Sequence, residues 1–266
     1  MKNKNTFLVV VNTVSLAIML LTNFFASTGK YVNSTVAEVS YRYDTLFAPA
    51  GYAFAIWGII FLLAIGFVVF QWVMLANKQT DTIAATGSWF LVSNVANIAW
   101  IYCWTNEWIG LSVIMIFILL FSLVVLTARL RLELDDEPVR NIFWVWWPIA
   151  IYLGWVMVAT IACVSAWLVY SNWHKGITMA PLLTIIMLVV ATIIYLYLLK
   201  TRNLREASSV GIWAFVAIAV RQWTPYQNIA MAAIICSVIL FVAITVHAYK
   251  NRFYNIGAKL QRKEWK

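Results

Sequence analysis

Three groups of residues have types and spacings suited to recognition chemistry. The first is the run Phe-Ala-Pro-Ala-Gly-Tyr-Ala-Phe-Ala-Ile-Trp from Phe47 to Trp57, followed by Phe61. Pro49 and Gly51 suit the entry to a helix. Tyr52 follows them, and Trp57 and Phe61, four apart, share one helix face. In the second group, Asn94, Asn97 and Trp100 recur at intervals of three. At roughly 100° per residue they spread over about 120° of one helix. The third group, Tyr152, Trp155 and Ala159, stands behind Pro148 and falls within about 60° of arc. The small Ala159 leaves room beside two large rings. Inward-facing rings make walls for a flat apolar ligand, and a pair of carboxamides adds a few polar contacts. Taken singly, each group also fits helix–helix packing, with Asn as the interhelical glue.

Bond-making chemistry has much less to work with. The ten acidic residues fall in loops, at interfaces or in tails, and none is in the middle of an apolar run. That weighs against a proton-coupled pump, which needs ionisable groups within the membrane. His174 and His247 sit at the ends of apolar runs, and no Ser-His-Asp or Cys-His arrangement assembles. Cys103, Cys163 and Cys236 lie in separate runs with no His at metal spacing, and read as small packing residues. Phosphate-cradling glycine patterns are absent. No cofactor is therefore required by the sequence. The 15 tryptophans are the unusual feature. Trp108, Trp144, Trp146, Trp147, Trp173 and Trp223 suit an interfacial belt. Trp57, Trp100, Trp155 and Trp213 lie deeper, where an indole N–H needs a partner or a cavity.

The elements that must position these residues are transmembrane helices. Hydrophobic residues make up 64% of the chain and charged residues only 11%, against roughly 25% charged in soluble proteins. The apolar runs approach the roughly 20 residues that cross a bilayer. In lipid such runs must be helical to satisfy their own backbone. The fold class expected is an all-α polytopic bundle of about 8 transmembrane helices, near 7–27, 51–76, 86–105, 109–129, 142–169, 178–199, 209–223 and 228–249. The basic start and apolar stretch of the N-terminus imitate a signal peptide, but Phe7 to Ala26 is long enough to span and is read as a retained helix. The net charge of +9 reads as topology signal and lipid contact rather than nucleic-acid binding. Of the 19 basic residues, only Lys30, Arg42, Lys175 and Arg221 fall outside if the N-terminus is cytoplasmic. Both termini are then cytoplasmic. Arg221 reads as a snorkelling interfacial residue. The long outer loop, Thr28 to Ala50, carries Tyr31, Tyr41, Tyr43, Phe47 and Pro49, a set that suits a pocket lid.

The ordered set from Pro49 to Trp57, Asn94-x-x-Asn97-x-x-Trp100 and Pro148-x-x-x-Tyr152-x-x-Trp155-x-x-x-Ala159 resembles the translocator protein family, also called tryptophan-rich sensory proteins or TspO/MBR proteins. That family is a five-helix bundle. The resemblance covers about residues 1–172, leaving three further helices over 173–250 and a basic cytoplasmic tail over 251–266. The family usually has a second Pro before the helix-two Trp, where this chain has Ala55-Ile56. It often has an Asn where this chain has Cys163. The resemblance implies a receptor or sensory protein in the bacterial inner membrane that binds a porphyrin or haem-like tetrapyrrole. The family also binds cholesterol and benzodiazepine-site ligands. Phe47, Pro49, Tyr52, Trp57, Phe61, Asn94, Asn97, Trp100, Tyr152, Trp155 and Ala159 are the expected ligand-binding residues. A transporter of such molecules is the alternative; the chain is not expected to be an enzyme, with light-dependent porphyrin breakdown, to which some members have been linked, as a minor alternative. The last three helices could lid the bundle, form a homodimer surface or mark a distinct subfamily. The partners expected are the bilayer and a hydrophobic small molecule, with no nucleic acid.

Overall fold

The computed structural model describes residues 2–29, 34–43, 45–172, 180–251, 259 and 265. Lys30, Tyr31, Trp173, His174, Lys175 and most of the basic tail lie outside the described residues. The described elements are all helical: α1 (Lys2–Thr28), α2 (Val36–Arg42), α3 (Ile56–Ala76), α4 (Asp81–Thr86), α5 (Trp89–Thr105), α6 (Ile109–Arg129), α7 (Val139–Asn141), α8 (Trp147–Tyr170), α9 (Ala180–Arg202), α10 (Arg205–Gln222) and α11 (Gln227–Lys250). A 3₁₀ turn, Gly51–Ala55, leads into α3, and a π-helical turn, Ile142–Trp146, leads into α8. Each of the eight expected spans coincides with a long helix. Six stretches are long and apolar enough by themselves to cross a membrane. Of the other two, α5 has 17 residues, and its roughly 26 Å of rise is just short of the bilayer core. The 18-residue α10 carries Arg205, Glu206 and Arg221 near its ends.

Local sequence explains the irregular entries. Pro148 has no N–H and its ring opposes the carbonyl four residues back. The helix responds by widening into the π turn just before it. Gly66 lets α3 approach that turn, since a Cβ there would lie 2.4 Å from the Trp144 ring. The outer loop is not irregular throughout. Thr35 and Glu38 form a reciprocal capping box that starts α2.

The core runs from α1 through α3, α5, α6 and α8 into α10. Helix α10 packs against α8, and α9 and α11 pack around α10. Backbones come close at Gly154, where a Cβ would lie 2.8 Å from the Ala207 carbonyl oxygen. Tyr195 of α9 reaches the same place and donates its hydroxyl to the Gly154 carbonyl at 2.7 Å. The three C-terminal helices are thus docked on α8 chiefly through α10.

Candidate ligand cavity

Four rings form a column across the outer half of the bundle. Trp57 stacks on Phe61 with centroids 5.5 Å apart and on Trp100 at 5.9 Å. Trp100 in turn stacks on Trp104 at 6.3 Å. Spacings of four on α3 and on α5 put both pairs on single helix faces. Trp155 meets this column edge-on at Trp57, 6.3 Å away, and Phe54 meets Trp155 edge-on at 6.0 Å. Such edge and offset contacts are the favoured geometries for aromatic rings.

Between these rings and α8 lies a cavity lined by Pro49, Phe54, Trp57, Trp100, Trp155 and Ala159, with Val36 and Thr45 of the outer loop above it. Its free space is only about 40 Å³, room for a few water molecules. On the other side of Trp57 and Phe54 is a groove of about 480 Å³ that also touches Leu20, Asn23, Phe24 and Phe61. Val36, Phe54, Trp57 and Trp100 line both spaces. Two half-buried rings, Phe54 and Trp57, therefore stand as the partition between the small cavity and the larger groove.

The indole N–H groups differ in what they meet. Trp100 donates to the Cys163 sulfur at 3.3 Å, and Trp104 to the Val36 carbonyl at 3.1 Å. Trp155 is 2% exposed, yet its N–H has no partner among the described residues. A buried donor left unpaired costs about 1–3 kcal/mol.

Beneath the cavity is a polar layer. Asn97 accepts from the Asn23 amide at 2.8 Å and donates to the Tyr152 hydroxyl at 3.0 Å. Asn94 donates to the Ser15 hydroxyl at 3.0 Å, and one turn deeper Asn12 donates to Gln71 at 3.0 Å. Both carboxamides of α5 face inward and are fully buried. They bind neighbouring helices rather than line the cavity.

Five of the residues expected at the site line the cavity: Pro49, Trp57, Trp100, Trp155 and Ala159. Phe61 lies in the groove. Asn94, Asn97 and Tyr152 sit in the polar layer, with the Tyr152 ring edge-on to Trp57 at 5.9 Å. Phe47 is packed in the core at 1% exposure, whereas Tyr52 is 45% exposed and stands edge-on to Trp213 outside the cavity. Reasoning from sequence passed over Phe54, Trp104, Asn23 and Cys163. Trp104 repeats Trp100 after one helical turn, a signal that was available. Asn12, Ser15 and Asn23 fall within about 80° of arc on α1, which was another.

The roof is tied down from two sides. Arg42 pairs with Glu107, and Tyr43 donates to the same carboxylate at 2.7 Å. Burial, with Glu107 beside it, pushes the Tyr43 phenol up to about 12, so it remains a donor at ordinary pH. From the other side α10 holds the segment leading into α3. Ala50 N–H bonds the Ala217 carbonyl at 3.1 Å. Gln222 donates to the Leu46 carbonyl at 3.0 Å, and Trp213 donates to the Ala53 carbonyl at 3.1 Å. The Arg221 guanidinium, read from sequence as a snorkelling residue, lies over the Tyr41 ring 5.0 Å from its centroid.

Comparison with known families decides what this bundle is. A family model described as TSPO-like protein matches residues 9–246. The chain belongs to the TSPO-like family. The match extends through α9 and α10 into α11, so these helices are part of the TSPO-like chain and not only its first 172 residues. No curated protein and no solved structure matches it. As a TSPO-like protein it is a multi-pass membrane protein of the sensory or binding kind.

Proposed function

We propose that this TSPO-like protein is a receptor for a flat hydrophobic ligand of the tetrapyrrole class, held in the aromatic cavity beneath the outer loop. It acts in a bacterial inner membrane with both termini cytoplasmic, the orientation that the Lys and Arg distribution favours. The observation that carries the reading is the buried, unpartnered N–H of Trp155 in a mainly apolar wall that also holds the rings of Phe54, Trp57, Trp100 and Trp104. A ligand acceptor would satisfy that donor, and the rings would supply stacking area.

The cavity must enlarge to work, because its 40 Å³ is far below the roughly 300 Å³ of even a small ligand pocket. Rotation of Trp57 and Phe54 would join it to the neighbouring groove without moving a helix. The Asn23–Asn97–Tyr152 layer forms the floor of the enlarged site, and this favours binding over passage through the bundle.

Titration of the detergent-solubilised protein with protoporphyrin IX, read by tryptophan quenching, tests the reading. Saturable quenching is expected. Trp155→Phe keeps an aromatic ring at the site and deletes the donor, and should weaken binding about 3- to 10-fold, the worth of one hydrogen bond. Ala159→Trp should fill the cavity and abolish binding. Unchanged affinity in both variants would sink the proposal.

A further inference from the structure

A second recess lies on the opposite side of α3, between α3, α8 and α10. It measures about 460 Å³ and shares no lining residue with the aromatic cavity. Its walls are Ile56, Ile59, Ile151, Val210 and the Trp213 ring. Ile59 is 54% exposed and Trp213 40% exposed, so the recess opens toward the surrounding membrane. One charged residue lines it, Glu206 in the first turn of α10.

A carboxyl at the end of an apolar groove needs a countercharge or a proton. The groups around it supply too little positive charge. Arg205 is its neighbour in sequence and acts on it directly, while Glu133 of the α6–α7 loop opposes it with a like charge. Lys259 also faces Glu133, but it is committed to Asp136 and to the Glu137 carbonyl. His247 of α11 faces Arg205 rather than the carboxyls. Glu133 holds its proton up to about pH 7; once it ionises, two carboxyls share one guanidinium and one negative charge is left to be met. The Trp147 indole N–H lies beside Glu206 without a hydrogen bond of ordinary geometry. Trp147 and Trp213 both border the groove, and indole rings attract cations.

We propose that this groove is a second binding site, for a lipophilic cation whose apolar body lies along Ile56, Ile59, Ile151 and Val210 and whose positive centre meets Glu206 between Trp147 and Trp213. An acyl chain would cover the same walls but leave the carboxyl unmatched. An anionic headgroup would be repelled by it.

The test is equilibrium binding of radiolabelled tetraphenylphosphonium to the full-length protein in detergent, with protoporphyrin quenching measured in parallel. Wild type should bind saturably, and Glu206→Gln should weaken binding at least 10-fold while leaving porphyrin quenching unchanged. Retained porphyrin binding in the variant also shows that it has folded. Ile59→Trp, a change on the membrane-facing wall, should weaken the cation and spare the porphyrin. Absence of saturable binding to wild type, equal binding to Glu206→Gln, or one-for-one displacement of the cation by porphyrin would each overturn the proposal. Failure of porphyrin binding alone would count against the aromatic cavity and leave this site standing.

Discussion

Helices α1, α3, α5 and α8 are set against one another by polar side chains, while α8, α9, α10 and α11 are set by small ones. On the first side Asn12–Gln71, Asn94–Ser15 and Asn23–Asn97–Tyr152 bridge helices at successive depths. On the second, Gly154, Ala207, Gly211 and Ala214 let backbones and the Tyr195 ring come close. Carboxamides reach across several ångströms and hold helices at a distance, so rings and a cavity fit between them. Small residues bring helices into backbone contact, as at Gly154, and leave room only at the margins of that contact, as in the groove beside Trp213 and Glu206. The ligand site and the close helix contact behind it follow from that difference. The two are joined where α10 bonds the segment around Leu46, Ala50 and Ala53.

The comparison predicts unequal tolerance to substitution. Gly154→Val should have the largest effect. Its nearest neighbours are backbone atoms of Ala207 at 2.8 and 2.9 Å, which cannot turn aside as a side chain can. Overpacking of this kind costs about 3 kcal/mol, and the loss should appear as a large fall in the melting temperature of the detergent-solubilised protein. Asn97→Leu should cost less, about 1–2 kcal/mol, because interhelical hydrogen bonds in membranes are individually modest. It removes two bonds, but Asn23 keeps a second acceptor in the Met19 carbonyl at 2.9 Å. If Asn97→Leu proves the more damaging in the same melts, the roles of the two regions are reversed.

The helical layout was legible because bilayer thickness imposes length and composition at once. The expected 109–129 span coincides with α6, and the other long helices differ by a few residues at their ends. The rings were legible through the four-residue spacing of Trp57 and Phe61 and the arc joining Tyr152 to Trp155. What these rings touch was less so. Asn97 looked like a ligand contact because an inward carboxamide can serve either a ligand or a neighbouring helix, and only the position of Asn23 decides between them. The grip of α10 on the roof was invisible, since it runs to the carbonyls of Leu46 and Ala53 and the Ala50 N–H, and backbone groups leave no mark in a sequence. Tyr52 was expected to contact the ligand, but the 3₁₀ turn before α3 directs it to Trp213.

The smallest predicted effect concerns a polar bridge that crosses from one region to the other at the inner end. Asn203, in the turn between α9 and α10, donates to Glu133 of the α6–α7 loop at 2.8 Å. Both have left-handed backbones, with φ of 58° at Glu133 and 55° at Asn203. Burial, reinforced by the like charge of Glu206, pushes the Glu133 carboxyl from 4.5 up to about 7. The folded chain therefore holds this proton more tightly than the unfolded chain does. Its contribution to stability is complete below about pH 4.5 and is lost as pH rises through about 7. The melting temperature of wild type should decline across that window, and Glu133→Gln, fixed in the neutral form, should flatten the decline. The difference between the two curves isolates this carboxyl and its coupling to Glu206 from the other titrating groups. Parallel curves would mean that Glu133 is ionised throughout. The junction between the polar-bridged and the small-residue regions would then be an ordinary charged surface and not a buried link between them.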